Sequence, residues 1–146
     1  MQRIGVDRMK AIYIAYGSNM NVEQMSRRCP NAKPIGKTVL QNYKLVFKGV
    51  ADIEKSESEE VPVVVWEITK ECEKALDIYE GYPRLYRKEY VPILINGKTE
   101  LAMVYVMNYA KGAKPSEYYY NVIKQGYKDF DINTAPLEKA LKESEM

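Results

Sequence analysis

Tyr16-Gly17-Ser18-Asn19-Met20 is the stretch whose residue types and spacing point most directly to chemistry. It follows the apolar run Ala11-Ile12-Tyr13-Ile14-Ala15 and precedes Asn21-Val22-Glu23-Gln24-Met25, so it is expected to join a buried strand to a helix. Gly17 permits a tight backbone turn, and Ser18, Asn19 and Asn21 are residue types that begin helices. Asn21 with Gln24 has the spacing of a loose capping box. Such a turn aims unpaired N–H groups, with the positive end of a helix dipole, at one point outside the sheet, where a carboxylate or phosphate fits. Many strand-to-helix turns bind nothing, so residue types alone leave both readings open.

The sequence contains no histidine. That excludes Ser-His and Cys-His nucleophile systems, His-ligated zinc and any imidazole proton shuttle. Chemistry must therefore run on carboxylates, tyrosines, lysines or backbone dipoles. Tyrosine outnumbers phenylalanine by 13 to 2, which favours aromatic surfaces that carry a hydrogen-bonding tip. Cys29 and Cys72 are far apart in sequence and lack neighbouring ligands, so both are expected to be reduced, buried thiols and no metal site is expected.

Tyr16-Gly17-Ser18-Asn19-Met20 after a first strand, Leu76-Asp77-Ile78-Tyr79-Glu80-Gly81 and Pro115-Ser116-Glu117-Tyr118-Tyr119 together resemble, in order and spacing, the γ-glutamylcyclotransferase-like family. The resemblance runs from Met9 to about Leu137. It implies conversion of a γ-glutamyl amino acid or γ-glutamyl amine into 5-oxoproline and a free amine, by an intramolecular acyl transfer of lyase or acyltransferase type. The substrate's own α-amino group attacks its own γ-carbonyl, so no enzyme nucleophile and no cofactor is implied. Glu80 occupies the place of the family's catalytic acid and base. On residue type alone Glu80 reads instead as a solvated carboxylate at a helix end, where the dipole disfavours it. The resemblance further implies substrate contacts from Tyr16, Gly17, Ser18, Asn19, Met20 and Asn21, and from Tyr119, four residues after Pro115. Tyr86 is added as a hydroxyl or wall close after Glu80, with core packing as the alternative. Arg87 has a substrate carboxylate or a plain surface role open to it. Val63 departs from the glycine that many relatives carry ahead of the Trp66 strand. The rival reading is a non-catalytic module that binds a small ligand on the same anion-binding turn.

The elements that must position these residues follow from the pattern. Residues 1–8 read as a leader before a single domain over 9–146, with Met9 a candidate start. Strands are expected over Lys10–Ala15, Thr38–Leu40, Tyr43–Phe47, Val61–Ile68, Tyr86–Ile95 and Thr99–Met107, the last two joined by an Asn96-Gly97 turn. Helices are expected over Val22–Arg28, Lys70–Tyr79, from Pro115 to about Gln125 with Gly126 as a stop, and from Pro136 towards Glu145. Arg27 and Arg28 complement the dipole of the first helix. Cys72, Ala75, Leu76 and Tyr79 share one face of the second. Asp52 to Glu60 is charged and lacks apolar periodicity, so it reads as a solvated loop. Hairpin-joined strands with inserted helices give an α+β class with a mostly antiparallel sheet; the resemblance implies that it closes into a small barrel flanked by helices. A net charge of +2 argues against a nucleic-acid surface, and no apolar run approaches the about 20 residues of a membrane span. A cytoplasmic protein acting on a small molecule as a monomer or homodimer is the resulting expectation.

Overall fold

The computed structural model describes residues 10–146, so the expected leader at 1–8 and the start at Met9 lie outside the described residues. Strand β1 (Lys10–Ala15) leads through a 3-10 turn, Ser18–Met20, into helix α1 (Val22–Arg28). Two long strands follow, β2 (Lys33–Phe47) and β3 (Ala51–Thr69), then helix α2 (Lys70–Glu80), the hairpin of β4 (Tyr86–Ile95) and β5 (Lys98–Met107), and helices α3 (Glu117–Asp129) and α4 (Ala135–Ser144). The sheet order is β2-β3-β1-β5-β4. Three of its neighbouring pairs are antiparallel, while β1 and β5 run parallel.

The α+β class is as expected, but the sheet stays open and the barrel is not formed. The edge strands β2 and β4 share no ladder among the described residues, although Thr38 Oγ1 donates to the Leu94 carbonyl across them at 2.6 Å. Val61, Val63, Val64 and Val65 are fully buried in β3, which is hydrogen-bonded to both β1 and β2. β-branched side chains suit a strand covered on both faces. The Asn96-Gly97 turn has positive φ at both residues, 51° and 77°, the geometry that matches strand twist in a two-residue hairpin.

Four local expectations need correction. The charged run Asp52 to Glu60 is strand and not loop, because β2 pairs with it from Phe47↔Ala51 to Gln41↔Glu60. Its polar side chains decorate a ribbon whose backbone is satisfied by its partner, so apolar periodicity is not required there. The Gln41-Asn42 break does not divide β2; it marks a bulge at which Asn42 and Ser58 take positive φ, and Asn42 Oδ1 accepts from the Ser58 amide at 3.4 Å. Cys29 and Cys72 are joined as a disulfide with Cα atoms 5.1 Å apart, so neither is a free thiol. Separation in sequence is no guide here: the end of α1 and the first turn of α2 are brought side by side. Finally, Gly126 does not stop α3, which continues to Asp129; a Cβ at Gly126 would lie 2.7 Å from the Met20 carbonyl carbon, so glycine lets α3 seat on the 3-10 turn.

Candidate active site

The parallel pair β1 and β5 ends on one side of the sheet, and a cavity of about 340 Å³ opens there. Side chains from β1, the 3-10 turn, the end of α2, the start of β4, the end of β5 and α3 converge on it. Ligand sites outside the carboxyl ends of parallel strands are a general feature of open sheets. Among the described residues Glu80 is the sole charged group in its lining.

The turn is built from the inside out. Tyr16 is buried and its hydroxyl donates to the Tyr105 carbonyl at 2.7 Å, tying the end of β1 to β5. Gly17 has φ −122°, so no left-handed conformation requires glycine; space does. A Cβ there would lie 3.2 Å from Ala51 Cβ and 3.3 Å from the Tyr119 hydroxyl. Ser18 Oγ and the Tyr79 hydroxyl share a hydrogen bond of 3.2 Å. Asn19 Nδ2 donates to the Tyr13 hydroxyl at 3.1 Å, and the Asn19 carbonyl accepts from Trp66 Nε1 at 3.0 Å, which fixes the turn to the core.

The helix dipole does not serve the cavity as expected. α1 begins at Val22, whose amide donates to Asp129 Oδ2 at 3.0 Å, while Asn21 Oδ1 accepts from the Gln24 amide at 3.0 Å. The positive end of α1 is thus taken up by α3 and by its own cap. Only half of a capping box forms, since the Gln24 side chain accepts from Arg28 at 2.9 Å. Within the turn the Met20 and Asn21 amides donate to the Gly17 and Ser18 carbonyls. The amides of Gly17, Ser18 and Asn19 have no protein acceptor among the described residues, and these three residues line the cavity.

Glu80 is the last residue of α2 and lines the same cavity as Gly17, Ser18 and Asn19. Gly81 takes the left-handed conformation at φ 69° and ends the helix by donating to the Asp77 and Ile78 carbonyls. The Glu80 carboxyl makes no hydrogen bond or ion pair among the described residues. Burial pushes its pKa up to about 7, against a smaller opposing pull from Arg28. A carboxyl at that value is half ionised near neutrality, where a group that takes and returns a proton is most effective.

Tyr86 and Tyr119 line the cavity too. Burial raises both phenols above their ordinary range, and the Glu80 charge adds to it, so they are neutral hydroxyls. The Tyr119 hydroxyl accepts from the Ala51 amide at 3.0 Å. Two of the residues read as substrate contacts lie elsewhere. Met20 is fully buried beneath Gly126, and Asn21 caps α1 while its Nδ2 donates to the Val122 carbonyl at 3.0 Å. Arg87 is held by Glu89 at 2.8 Å and the Met107 carbonyl at 2.9 Å, away from the cavity.

Tyr13, Tyr79 and Tyr105 line the cavity without having been singled out. Tyr79 shares the helical spacing of Cys72, Ala75 and Leu76, yet it is 46% exposed and reaches Ser18 at the cavity. Its adjacency to Glu80 was the available signal. Tyr105 donates to Asp77 Oδ1 at 2.6 Å, linking β5 to α2.

A family model described as gamma-glutamyl cyclotransferase, AIG2-like, matches residues 13–127. The Homo sapiens protein named gamma-glutamylcyclotransferase is 32% identical over 151 aligned positions, covering 92% of this chain and 77% of the human one. The Bos taurus protein of the same name is 33% identical over 144 positions, covering 87% and 73%. A solved structure titled gamma-glutamyl cyclotransferase superposes with a TM-score of 0.81 at 29% identity, covering 90% of this chain and 86% of that one. YkqA from Bacillus subtilis shares the fold at a TM-score of 0.80 and 20% identity, over 99% of this chain and 57% of that one. With the model spanning most of the chain and relatives above 30% identity along nearly all of it, the chain belongs to the gamma-glutamyl cyclotransferase, AIG2-like family.

Proposed function

We propose that this protein is a γ-glutamylcyclotransferase that releases 5-oxoproline and a free amine from a small γ-glutamyl compound, with Glu80 as the group that moves the proton. The observation that carries this reading is one carboxyl, poised near neutrality and free of protein partners, in a cavity shared with three unengaged backbone amides. In the reaction the amides of Gly17, Ser18 and Asn19 take the substrate's α-carboxylate. Glu80 removes a proton from the α-ammonium, and the freed nitrogen attacks the γ-carbonyl carbon. A C–N bond forms to close the five-membered ring. Glu80 returns its proton to the departing nitrogen as the amide C–N bond to the leaving group breaks, and the second proton shed by the ring nitrogen passes through the same carboxylate to the released amine, which leaves as an ammonium ion. Holding the chain folded supplies most of the rate, since oriented intramolecular attack reaches effective molarities of about 10⁵–10⁸ M. Tyr119, whose hydroxyl oxygen is occupied by the Ala51 amide, has its proton available for the oxyanion, and Tyr86 lines the same cavity.

The test is incubation of the purified protein with a panel of γ-glutamyl amino acids and γ-glutamyl amines, with 5-oxoproline detected by mass spectrometry. Glu80→Gln is expected to lower turnover by about 10²–10⁴-fold, while binding of a γ-glutamyl analogue that cannot cyclise is retained. Equal rates in Glu80→Gln and wild type would overturn the assignment of Glu80. Binding by the wild type without product would instead favour the non-catalytic module.

A further inference from the structure

Arg27 and Arg28 are adjacent in sequence and end the same helix, yet the structure gives them opposite environments. Arg27 makes an exposed pair with Glu23 one turn back, at 3.1 Å. Arg28 turns inward: its guanidinium carbon lies 3.7 Å from the centre of the Tyr79 ring, and its NH1 donates to Gln24 Oε1 at 2.9 Å. It forms no ion pair among the described residues. Tyr79 in turn reaches Ser18 Oγ at 3.2 Å and is followed directly by Glu80.

We propose that Arg28 is a positioning residue for Glu80, clamping Tyr79 from behind so that the last turn of α2 is held against the Gly17–Asn19 turn. This inference rests on the catalytic reading of Glu80 given above. The geometry supplies two fixed points. Cys29, the next residue, is bonded to Cys72 in the first turn of α2, and Tyr79 lies seven residues on, two helical turns further along the same face. The end of α1 therefore grips α2 at both ends of one face, covalently at Cys72 and by a cation–π stack at Tyr79. The second grip is the one that bears on the cavity, because Tyr79 lines it and Arg28 does not. A planar guanidinium suits this task better than an ammonium, since it stacks on the ring while its edge N–H groups bond to Gln24.

Charge gives the clamp a second effect. The titratable groups that line the cavity with Glu80 are Tyr13 and Tyr16 from β1 and the turn, Tyr79 on its own helix, Tyr86 from β4, Tyr105 from β5 and Tyr119 from α3, with Arg28 of α1 stacked on Tyr79. Arg28 alone favours the ionised carboxyl. Its removal both loosens Tyr79 and makes Glu80 harder to ionise.

Two measurements decide the matter, one independent of turnover. The first is the pH dependence of kcat/KM in Arg28→Gln, Arg28→Lys and Tyr79→Leu. Arg28→Gln is expected to lose about threefold to thirtyfold in kcat/KM at pH 7 and to move the acidic limb to higher pH, with Arg28→Lys falling between it and wild type. The second is NMR titration of the Glu80 carboxyl in carbon-labelled protein, with Glu80→Gln identifying the resonance; its midpoint is expected to rise in Arg28→Gln. An unmoved limb and midpoint in folded Arg28→Gln overturns the proposal. If that variant does not fold, Tyr79→Leu decides, since an unchanged kcat/KM there means that the stack positions nothing. Should the wild type form no 5-oxoproline, the catalytic reading falls, while the titration still shows whether Arg28 acts on Glu80.

Discussion

Each residue of the site is placed by contacts that its own type explains, and Gly17 shows how narrow the tolerance is. Read from sequence it was a turn glycine, but its negative φ leaves that role unused, and the need is for room beside Ala51 and the Tyr119 hydroxyl. The Tyr119 hydroxyl cannot retreat freely, because it holds the Ala51 amide at 3.0 Å. Gly17→Ala is therefore expected to cost activity more than stability, on the order of 10- to 100-fold in kcat/KM, as misplacements of about 1 Å do in positioned sites. Tyr119→Phe removes both the clashing oxygen and the partner of the Ala51 amide, and is expected to cost about 1–3 kcal/mol by leaving that amide unpaired. Because the two changes share one contact, kinetics of the double variant should show a loss well below the product of the single losses. Independent, multiplying losses would show that Gly17 and Tyr119 do not meet as the structure has them. Glu80 stood out through its resemblance to a family pattern and not through its type. Its environment, a cavity edge walled by tyrosines from five elements, is assembled from positions 13 to 119 and is invisible to any local reading.

At the scale of elements, a position's meaning depended on what packs against it. Gly126 was expected to end α3 and instead sits within it, over Met20 and Asn21. Gly126→Ala tests this directly. Alanine gains about 1 kcal/mol in helix propensity over glycine, so an isolated helix would be stabilised. Here the new methyl would lie 2.7–2.8 Å from backbone atoms of Met20 and Asn21, which cannot rotate aside. Net destabilisation of about 1–3 kcal/mol is expected, seen as a lower midpoint in denaturant unfolding; a raised midpoint would refute the close seating. Elements whose pattern is carried by their own residues were legible: β1, α1, the Asn96-Gly97 hairpin, and the start of α2 at Thr69, whose side chain accepts from the Cys72 amide. The features that were not legible are those set by a distant partner. β2 turns the charged run of β3 into strand, α1 and α2 bring two remote cysteines together, and Asp129 of α3 occupies the helix end that the turn was expected to offer a ligand.

For the whole molecule, the open sheet explains where the cavity can be and what it costs. Beyond the end of β1 the β2–β3 ribbon curls back, so that Ala51 meets Gly17 and the buried Asp52 accepts from the Met107 amide at 3.0 Å and pairs with Lys48 at 2.8 Å. That curl, with the hairpin of β4 and β5 on the other side, walls a space without closing a barrel. Walling it also removes water from Glu80, and the consequence belongs to the stability of the fold. The folded-state pKa of Glu80, about 7, lies above its ordinary value of 4.5, so the native state holds this proton more tightly than the unfolded chain does. Below the ordinary value the carboxyl is neutral in both states and carries no penalty. As pH rises from there through 7 the native state must ionise a group with no hydrogen-bonding partner, and stability falls by at most about 3 kcal/mol, at 1.36 kcal/mol per pH unit. Glu80→Gln keeps the shape and removes the charge. The variant is therefore expected to unfold at the same temperature as wild type near pH 4, at a progressively higher one from pH 5 to just above 7, and with a constant difference from there to pH 9, while its turnover stays low throughout. Thermal unfolding of the two proteins across that range checks it: a variant no more stable than wild type at pH 9 would mean that the Glu80 carboxylate is solvated, and with it the reason for assigning it the proton transfer would go.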